Sequence, residues 1–562
     1  MVTYADKPWL KFYHRGVPEK IDLPEISLPE MLDRAVSKWG NNIAIYFMGK
    51  KMTYTELKDH IDRFATALAD LGIKKGDVVA VHLPNIPQFI ISYYGAMRAG
   101  ASLTCISALL TPPEVKFQLN DAEAKVIVTM DGQPFQAVES IRKETKLHHV
   151  IVTALADYLP GKPRTPPEKP GALQFLNLIT SHQPSPPKVK ITPKEDIAVF
   201  QYTGGTTGLP KGAMLTHYNL VSNAFQTFNW FIWDQTEGKE ICLINLPLFH
   251  IYGMTCCINV SILRGYLLAL NPDPRDLVSL LSLIKSVKPT YFPGVPMVYM
   301  RLLQAKGVEK YYNDLKTIRI CNSGAAPMPP EVIKQFEGTI GATILEGYGL
   351  TECSPVTHVN PDKDTRKIGS IGLPIPNTEC RIVDIETGTK ILPVGGVGEL
   401  AIKGPQTMKG YWKKPDESAK QIKKELGGTP GPWILTGDIA KMDEQGYFYI
   451  VDRKKDMIDV SGFKVYPREV DDTLFEHPAV AMAAAVGIPD PKNPGNERVQ
   501  AFIVLKPGVE ESDETKNSII EFCKGKLAPY KVPKEIEFKK ELPTTLAGKV
   551  LKRSLRDEEK GK

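Results

Sequence analysis

At 562 residues the chain is too long for one hydrophobic core and reads as more than one domain. Apolar residues at 42% and charged residues at 24% exclude a disordered or fibrous class. A net charge of +6 is too small at this length to argue for nucleic acid or a membrane as partner.

The opening stretch MVTYADKPWLKFYHRGVPEK is too polar for a signal peptide, and no run of ~18 apolar residues follows. The expectation is a soluble, cytoplasmic protein. The eight cysteines are scattered, with no C-x-x-C pair and no Cys/His cluster at zinc spacing, which fits core thiols in a reducing compartment. In YTELKDHIDRFATALADLG the residues Leu57, Ile61, Phe64, Leu68 and Leu71 recur at steps of four and three, one apolar helical face. Gly72 ends that helix, and Val78–Val81 reads as a buried strand. A helix is expected over 87–98, with Pro87 at its first position, and a strand over 124–129. Strands alternating with helices imply an α/β layered fold.

Nine prolines fall between Pro160 and Pro193, so this stretch is expected to be an extended surface connection inside the large domain, with a true domain boundary as the alternative. The strand 197–202 then enters YTGGTTGLPKG, residues 202–212. Much later, GYFYIVDRKKDMIDV carries a strand, 447–451, into the charged break Asp452–Asp456, which suits a hinge. After it come a helix (467–476), strands (480–486 and 499–505), a helix (516–527) and a basic tail. From Glu521 onward 12 Lys/Arg face 7 Asp/Glu, so this tail holds +5 of the net charge, a solvated surface or a contact for a polyanionic substrate. The expected organisation is 1–452, a large domain of layered α/β sheets in several subdomains, and 453–562, a small mobile α+β domain.

The loop at 202–212 has the chemistry of a phosphate clasp. Glycines allow close backbone approach, threonine hydroxyls can donate to phosphate oxygens, and Lys211 adds charge. It is neither a Walker A loop nor a dinucleotide fingerprint, because both need an immediate helix. Here Leu209-Pro210 intervene and KGAMLTH reads as a second strand, with the next helix beginning near Asn219.

The loop, with GYGLTE (347–352), TGD (436–438), DRKKDMIDVSGFKVYP (452–467) and PTTLAGKVLKR (543–553), resembles the adenylate-forming superfamily of acyl-CoA synthetases, adenylation domains and luciferases. Five motifs in order over 202–553 make the likeness specific. It implies ATP-dependent activation of a carboxylate to an acyl-adenylate with release of pyrophosphate, then displacement of AMP by coenzyme A.

By resemblance, Thr203, Gly205, Thr206, Thr207, Gly208 and Lys211 hold the phosphates, and Thr203 and Glu352 serve Mg2+. Gly324, Ala325, Ala326 and Pro327 form the adenine wall. Glu346, Gly347, Tyr348, Gly349 and Thr351 surround the nucleotide, with Tyr348 stacked on the base. Asp438 takes the ribose hydroxyls with help from Arg453. Lys549 is the catalytic lysine of adenylation, Lys455 the hinge, and Gly462 lines the pantetheine channel after rotation. Asp459 stands where luciferase-like and plant aryl ligases carry lysine, so no role is carried to it. His250, in LPLFHIYGMTCC, would sit where carboxylate and thiol meet.

The expected acid is a medium- or long-chain fatty acid. No aspartate stands in LFHIYGM to pair an amine, and Gly253 and Met254 suggest an adaptable apolar tunnel. An aryl acid is the runner-up, ahead of a luciferase-like oxygenase or a non-catalytic nucleotide-binding protein. No nucleic acid is expected. Transient membrane-surface contact and a homodimer stay open.

Overall fold

The computed structural model describes residues 2–161, 166–203, 210–490, 496–544 and 550–560. The first long helix, Tyr54–Asp70, starts at a capping box. Thr53 accepts from the Glu56 N–H, and the Glu56 carboxylate accepts from the Thr53 N–H at 2.7 Å. Leu57, Ile61, Phe64 and Leu68 are fully buried on its inner face. Gly72, at φ +83, turns the chain into the strand Val78–His82, every residue of which is buried.

That strand lies inside a seven-stranded sheet ordered Leu173–Gln174, His149–Thr153, Ala124–Met130, Val78–His82, Ser102–Cys105, Ile197–Thr203 and Lys211–Thr216. All neighbours are parallel except the last pair, which is antiparallel. Buried on both faces, such strands read as continuous apolar runs, and this is why they were visible in the sequence. The proline-rich stretch departs from the extended connection expected of it. Between its two proline clusters lie the strand Leu173–Gln174 and the helix Phe175–Ser181. Phe175 is fully buried against Phe64, ring centroids 5.0 Å apart. The apolar run ALQFLNLI supplies enough area to dock a helix turn despite the flanking prolines.

A nine-stranded sheet carries Ile43–Phe47, Leu267–Leu270, Ile241–Ile244, Tyr291–Gly294, Ile320–Ser323 and Thr343–Gly349 as parallel neighbours, with antiparallel strands at both ends. A five-stranded sheet built on Gly398–Lys403 and the long strand Thr429–Met442 follows, with Phe448–Arg453 paired to the latter. Beyond it the chain forms a hairpin, Ile458–Val460 with Phe463–Val465, and a three-stranded sheet, Val480–Pro489, Glu497–Leu505 and Glu535–Phe538. Helices Pro467–Phe475 and Asp513–Lys524 accompany that sheet, and an apolar cluster running from Ile458 to Ile536 is its own core. All eight cysteines are free and buried.

Candidate functional site

The glycine loop joins two antiparallel strands, with Thr203 opposite Lys211 and Tyr202 opposite Gly212, as KGAMLTH suggested. Gly205, Thr206, Thr207 and Gly208 lie outside the described residues, as does Lys549. A third segment runs alongside the exit strand. The N–H of Met214 donates to Gly410 at 2.9 Å, and that of Trp412 donates to Gly212 at 2.8 Å. This pairing fixes Tyr411 beside Lys211.

The Lys211 ammonium stands 5.2 Å from the centroid of the Tyr411 ring and 2.5 Å from Oε2 of Glu417. Lys211 and Lys420 hold the half-buried Glu417 carboxyl down at about 2. On its other side Tyr411 donates its hydroxyl to Oε1 of Glu352 at 2.6 Å. Burial, then the charge of Glu352, pushes this phenol well above its ordinary range. Glu352 sits in a 3-10 turn, Thr351–Cys353, whose backbone is tied to the same segment by the Met408 N–H. Tyr411 and Glu417 belong to GYWKKPDE, where nothing in residue type or spacing announced a partner for the loop.

The adenine-wall candidates follow the carboxyl ends of two adjacent parallel strands, where α/β sheets place ligands. Asn322 pairs with Leu345 and Ser323 with Glu346, so NSGAAP and EGYG emerge together. Gly324 is closely surrounded: a Cβ there would lie 3.3 Å from the Tyr252 ring, tight enough that the ring would have to give slightly, and in ordinary contact with the Gly347 carbonyl oxygen at 3.5 Å. Gly349 is more constrained still, with the Pro355 carbonyl oxygen 2.3 Å from any Cβ. Ala325 holds φ +69, a left-handed conformation that an alanine adopts only under constraint. The Tyr252 hydroxyl lies 2.7 Å from both the carbonyl oxygen and Oδ1 of Asn322. Asn322 Nδ2 and Ser323 Oγ are buried with no hydrogen-bond partner among the described residues. Orphaned donors beside a small-residue wall are what a heteroaromatic base would satisfy.

Glu346 accepts from the Gly369 N–H at 2.9 Å. Burial raises its carboxyl to about 7, against the opposing pull of Gly369, Arg468 and Arg366. Asp438, 8% exposed, receives the Tyr348 hydroxyl at 2.5 Å and faces Nε of Arg453 at 3.3 Å, directly across the ladder. Tyr348 is thus anchored at its hydroxyl, and its ring meets His358 edge-on with centroids 5.9 Å apart.

His250 accepts the Tyr252 N–H at Nδ1, 3.2 Å away, which leaves the hydrogen on Nε2 when the ring is neutral. Burial lowers its pKa to about 4, so it is neutral at physiological pH. The π-helical turn Gly253–Asn259 follows. Gly253 and Met254 do not border an open tunnel as expected: a Cβ on Gly253 would meet the Pro247 carbonyl oxygen at 2.4 Å, and Met254 is fully buried. Gly253 is small to let two backbones cross.

Lys455 sits in the turn after the strand Phe448–Arg453, spanned by the Asp456 N–H donating to Arg453 at 3.0 Å. Gly462, at φ +87, turns the following hairpin and donates to Oδ1 of Asp459 at 2.8 Å. Lys464 meets Oδ2 of Asp459 at 2.5 Å, so Asp459 is engaged within its own hairpin. Among the described residues no group of three or more His, Cys, Asp and Glu could hold a metal, and no helix is long and apolar enough to cross a membrane.

Comparison with known proteins gives a consistent result. A family model described as AMP-binding enzyme matches residues 32–412, and one described as AMP-binding enzyme C-terminal domain matches 469–549. The chain is 40% identical to a long-chain-fatty-acid–CoA ligase of Bacillus subtilis (strain 168), covering 99% of this chain and 98% of that one. It is 31% identical to a 4-coumarate–CoA ligase-like protein of Oryza sativa subsp. japonica, covering 97% and 94%. Among solved structures, an anthranilate CoA ligase in complex with anthranoyl-AMP superimposes with a TM-score of 0.83 at 27% identity, over 99% of both chains.

Proposed function

The chain belongs to the AMP-binding enzyme family, and we propose that it is an ATP-dependent acyl-CoA ligase acting on medium- or long-chain fatty acids. The observation that carries this reading is the convergence of Lys211 and Glu352 on Tyr411: a phosphate-seeking cation and a metal-seeking carboxylate share one anchor. Likeness to bacterial long-chain ligases over the whole chain supports the fatty acid. The weaker likeness to the rice protein makes an aryl acid the lesser reading.

The chemical problem is the attack of one anion on another. The substrate carboxylate must reach the α-phosphorus of ATP, so positive charge is needed where negative charge develops. Lys211 with the threonines of its loop would hold the β- and γ-phosphates, and Lys549 would bridge the carboxylate and the α-phosphate. Asn322 and Ser323 would meet the adenine, and Asp438 and Arg453 the ribose. The Glu352 carboxylate and Thr203 hydroxyl are hard oxygen donors that fit Mg2+, whose other positions phosphates and water would fill. When bound, the metal would neutralise charge on the departing pyrophosphate. Neutral His250, with its hydrogen on Nε2, is suited to donate to the acyl carboxylate. Thioester formation would follow rotation about Lys455, with 1–452 and 453–562 as the moving units and Gly462 admitting pantetheine. The eight free, buried thiols support a cytoplasmic setting.

The test is pyrophosphate release and CoA-thioester formation across a ladder of fatty and aryl acids. A maximum at medium or long chains is expected. A maximum on aryl acids would overturn the substrate, and ADP in place of AMP would overturn the reaction.

A further inference from the structure

The turn that carries Asp438 is held from behind by a carboxylate. Strands Gly398–Lys403 and Thr429–Met442 pair Ala401 with Leu435 but Glu399 with Ile439, so Thr436, Gly437 and Asp438 are expelled from the ladder as a bulge. Gly437 makes this turn at φ +73, a conformation in which other residues are strained. Both of its backbone groups are engaged. Its N–H donates to Oε1 of Glu399 at 2.9 Å, and its carbonyl accepts from the Lys454 N–H at 2.9 Å. The second oxygen of the same carboxylate, Oε2, meets the Lys454 ammonium at 2.9 Å. Glu399 is 3% exposed, so loss of either partner leaves a buried charge or donor uncompensated.

We propose that Glu399 is a positioning residue that locks the Asp438 turn to the chain immediately before the pivot, so that ribose site and hinge are set as one unit. The inference rests on the reading of Lys455 as the pivot of a two-step ligase. A rotation confined to one residue needs fixed backbone on the side that stays still. Lys454, gripped at its N–H by Gly437 and at its ammonium by Glu399, provides it. The pairing of Asp438 with Arg453 lies on that still side. Rotation at Lys455 therefore leaves the ribose anchor in place, and the adenylate stays bound while the second reaction is assembled. Without Glu399 the freedom spreads back into residues 453 and 454, and the Asp438 turn loosens with them.

The experiment compares Glu399→Gln, Lys454→Gln, the double variant and Lys454→Arg by ATP–pyrophosphate exchange and by overall acyl-CoA formation. The amide introduced by Glu399→Gln can still accept from Gly437 but no longer attracts the ammonium. Each single Gln variant is expected to lose about tenfold in acyl-CoA formation, more than it loses in exchange, and the double variant should be no worse than either single. Lys454→Arg should restore the rate. Additive losses, an unaffected Lys454→Gln, or exchange falling in step with the overall rate would overturn the proposal. Failure of the reading beneath it looks different: the unmodified enzyme would show no exchange, or Lys455→Pro would leave both half-reactions unchanged.

Discussion

The hydroxyl of Tyr411 donates to Oε1 of Glu352 across 2.6 Å. The same ring lies 5.2 Å from the Lys211 ammonium, so the carboxylate proposed to hold Mg2+ and the cation proposed to hold phosphate meet on one side chain. Tyr411→Phe keeps the ring and removes the hydrogen bond, and such a bond to a charged group contributes about 1.5–3 kcal/mol. The expected result is a roughly tenfold rise in the Mg2+ concentration that half-saturates ATP–pyrophosphate exchange, since one tenfold step corresponds to ~1.4 kcal/mol. The KM for fatty acid should not move. An equal rise in that KM would make Tyr411 a general support of the site instead.

Thr544 and Val550 pair as an antiparallel bridge, and Lys549, just before Val550 in the sequence, lies outside the described residues. Its proposed work belongs to the first half-reaction alone. Lys549→Ala should lower adenylate formation by at least about a hundredfold, the scale on which a positioned charge in a transition state is felt. Thioester formation from supplied acyl-AMP and CoA should be largely kept. Equal loss in both half-reactions would remove Lys549 from this role.

The hinge is open to a backbone test. Proline fixes φ near −65°, and Lys455 lies in the short turn spanned by the Asp456 N–H and the Arg453 carbonyl. Lys455→Pro should freeze one orientation, so that one half-reaction persists while the overall rate falls about tenfold or more. Separate assays of exchange and of thioester formation decide it. If neither changes, the pivot is elsewhere.

What was legible in the sequence was what periodicity or local chemistry carries. The inner face of Tyr54–Asp70, the strand Val78–His82 and the strand–loop–strand form of the glycine clasp follow from apolar spacing and from the residues after Lys211. Asp438 and Arg453, singled out by motif likeness, are neighbours across one strand ladder, a pairing that motif likeness alone did not predict. Contacts made by distant segments were not legible. Tyr411 reaches Glu352 only because residues 409–412 lie along the exit strand, and Glu399 reaches Gly437 only through a register shift. Gly253 misled for a related reason, because a backbone crossing and an open pocket demand the same residue.

Glu346 makes a prediction in pH. Burial raises its folded pKa from 4.5 to about 7, so between these values the folded state binds the proton more tightly than the unfolded chain. Its contribution is therefore fully present below pH 4.5 and is lost as pH rises through about 7. Arg468, Arg366 and the Gly369 N–H face the carboxyl and limit the shift without reversing it. Glu346→Gln mimics the protonated form and keeps an acceptor for Gly369. The Tm of the variant minus that of the unmodified protein should be near zero in acid and should grow in the variant's favour from about pH 5 to about pH 8, by on the order of 2 °C or more. Taking the difference removes the other buried carboxyls, such as Asp471 at about 6, which titrate in both proteins. A difference that stays flat across this window, or that grows in acid, would show that Glu346 is ionised throughout and that its burial is compensated by the two arginines.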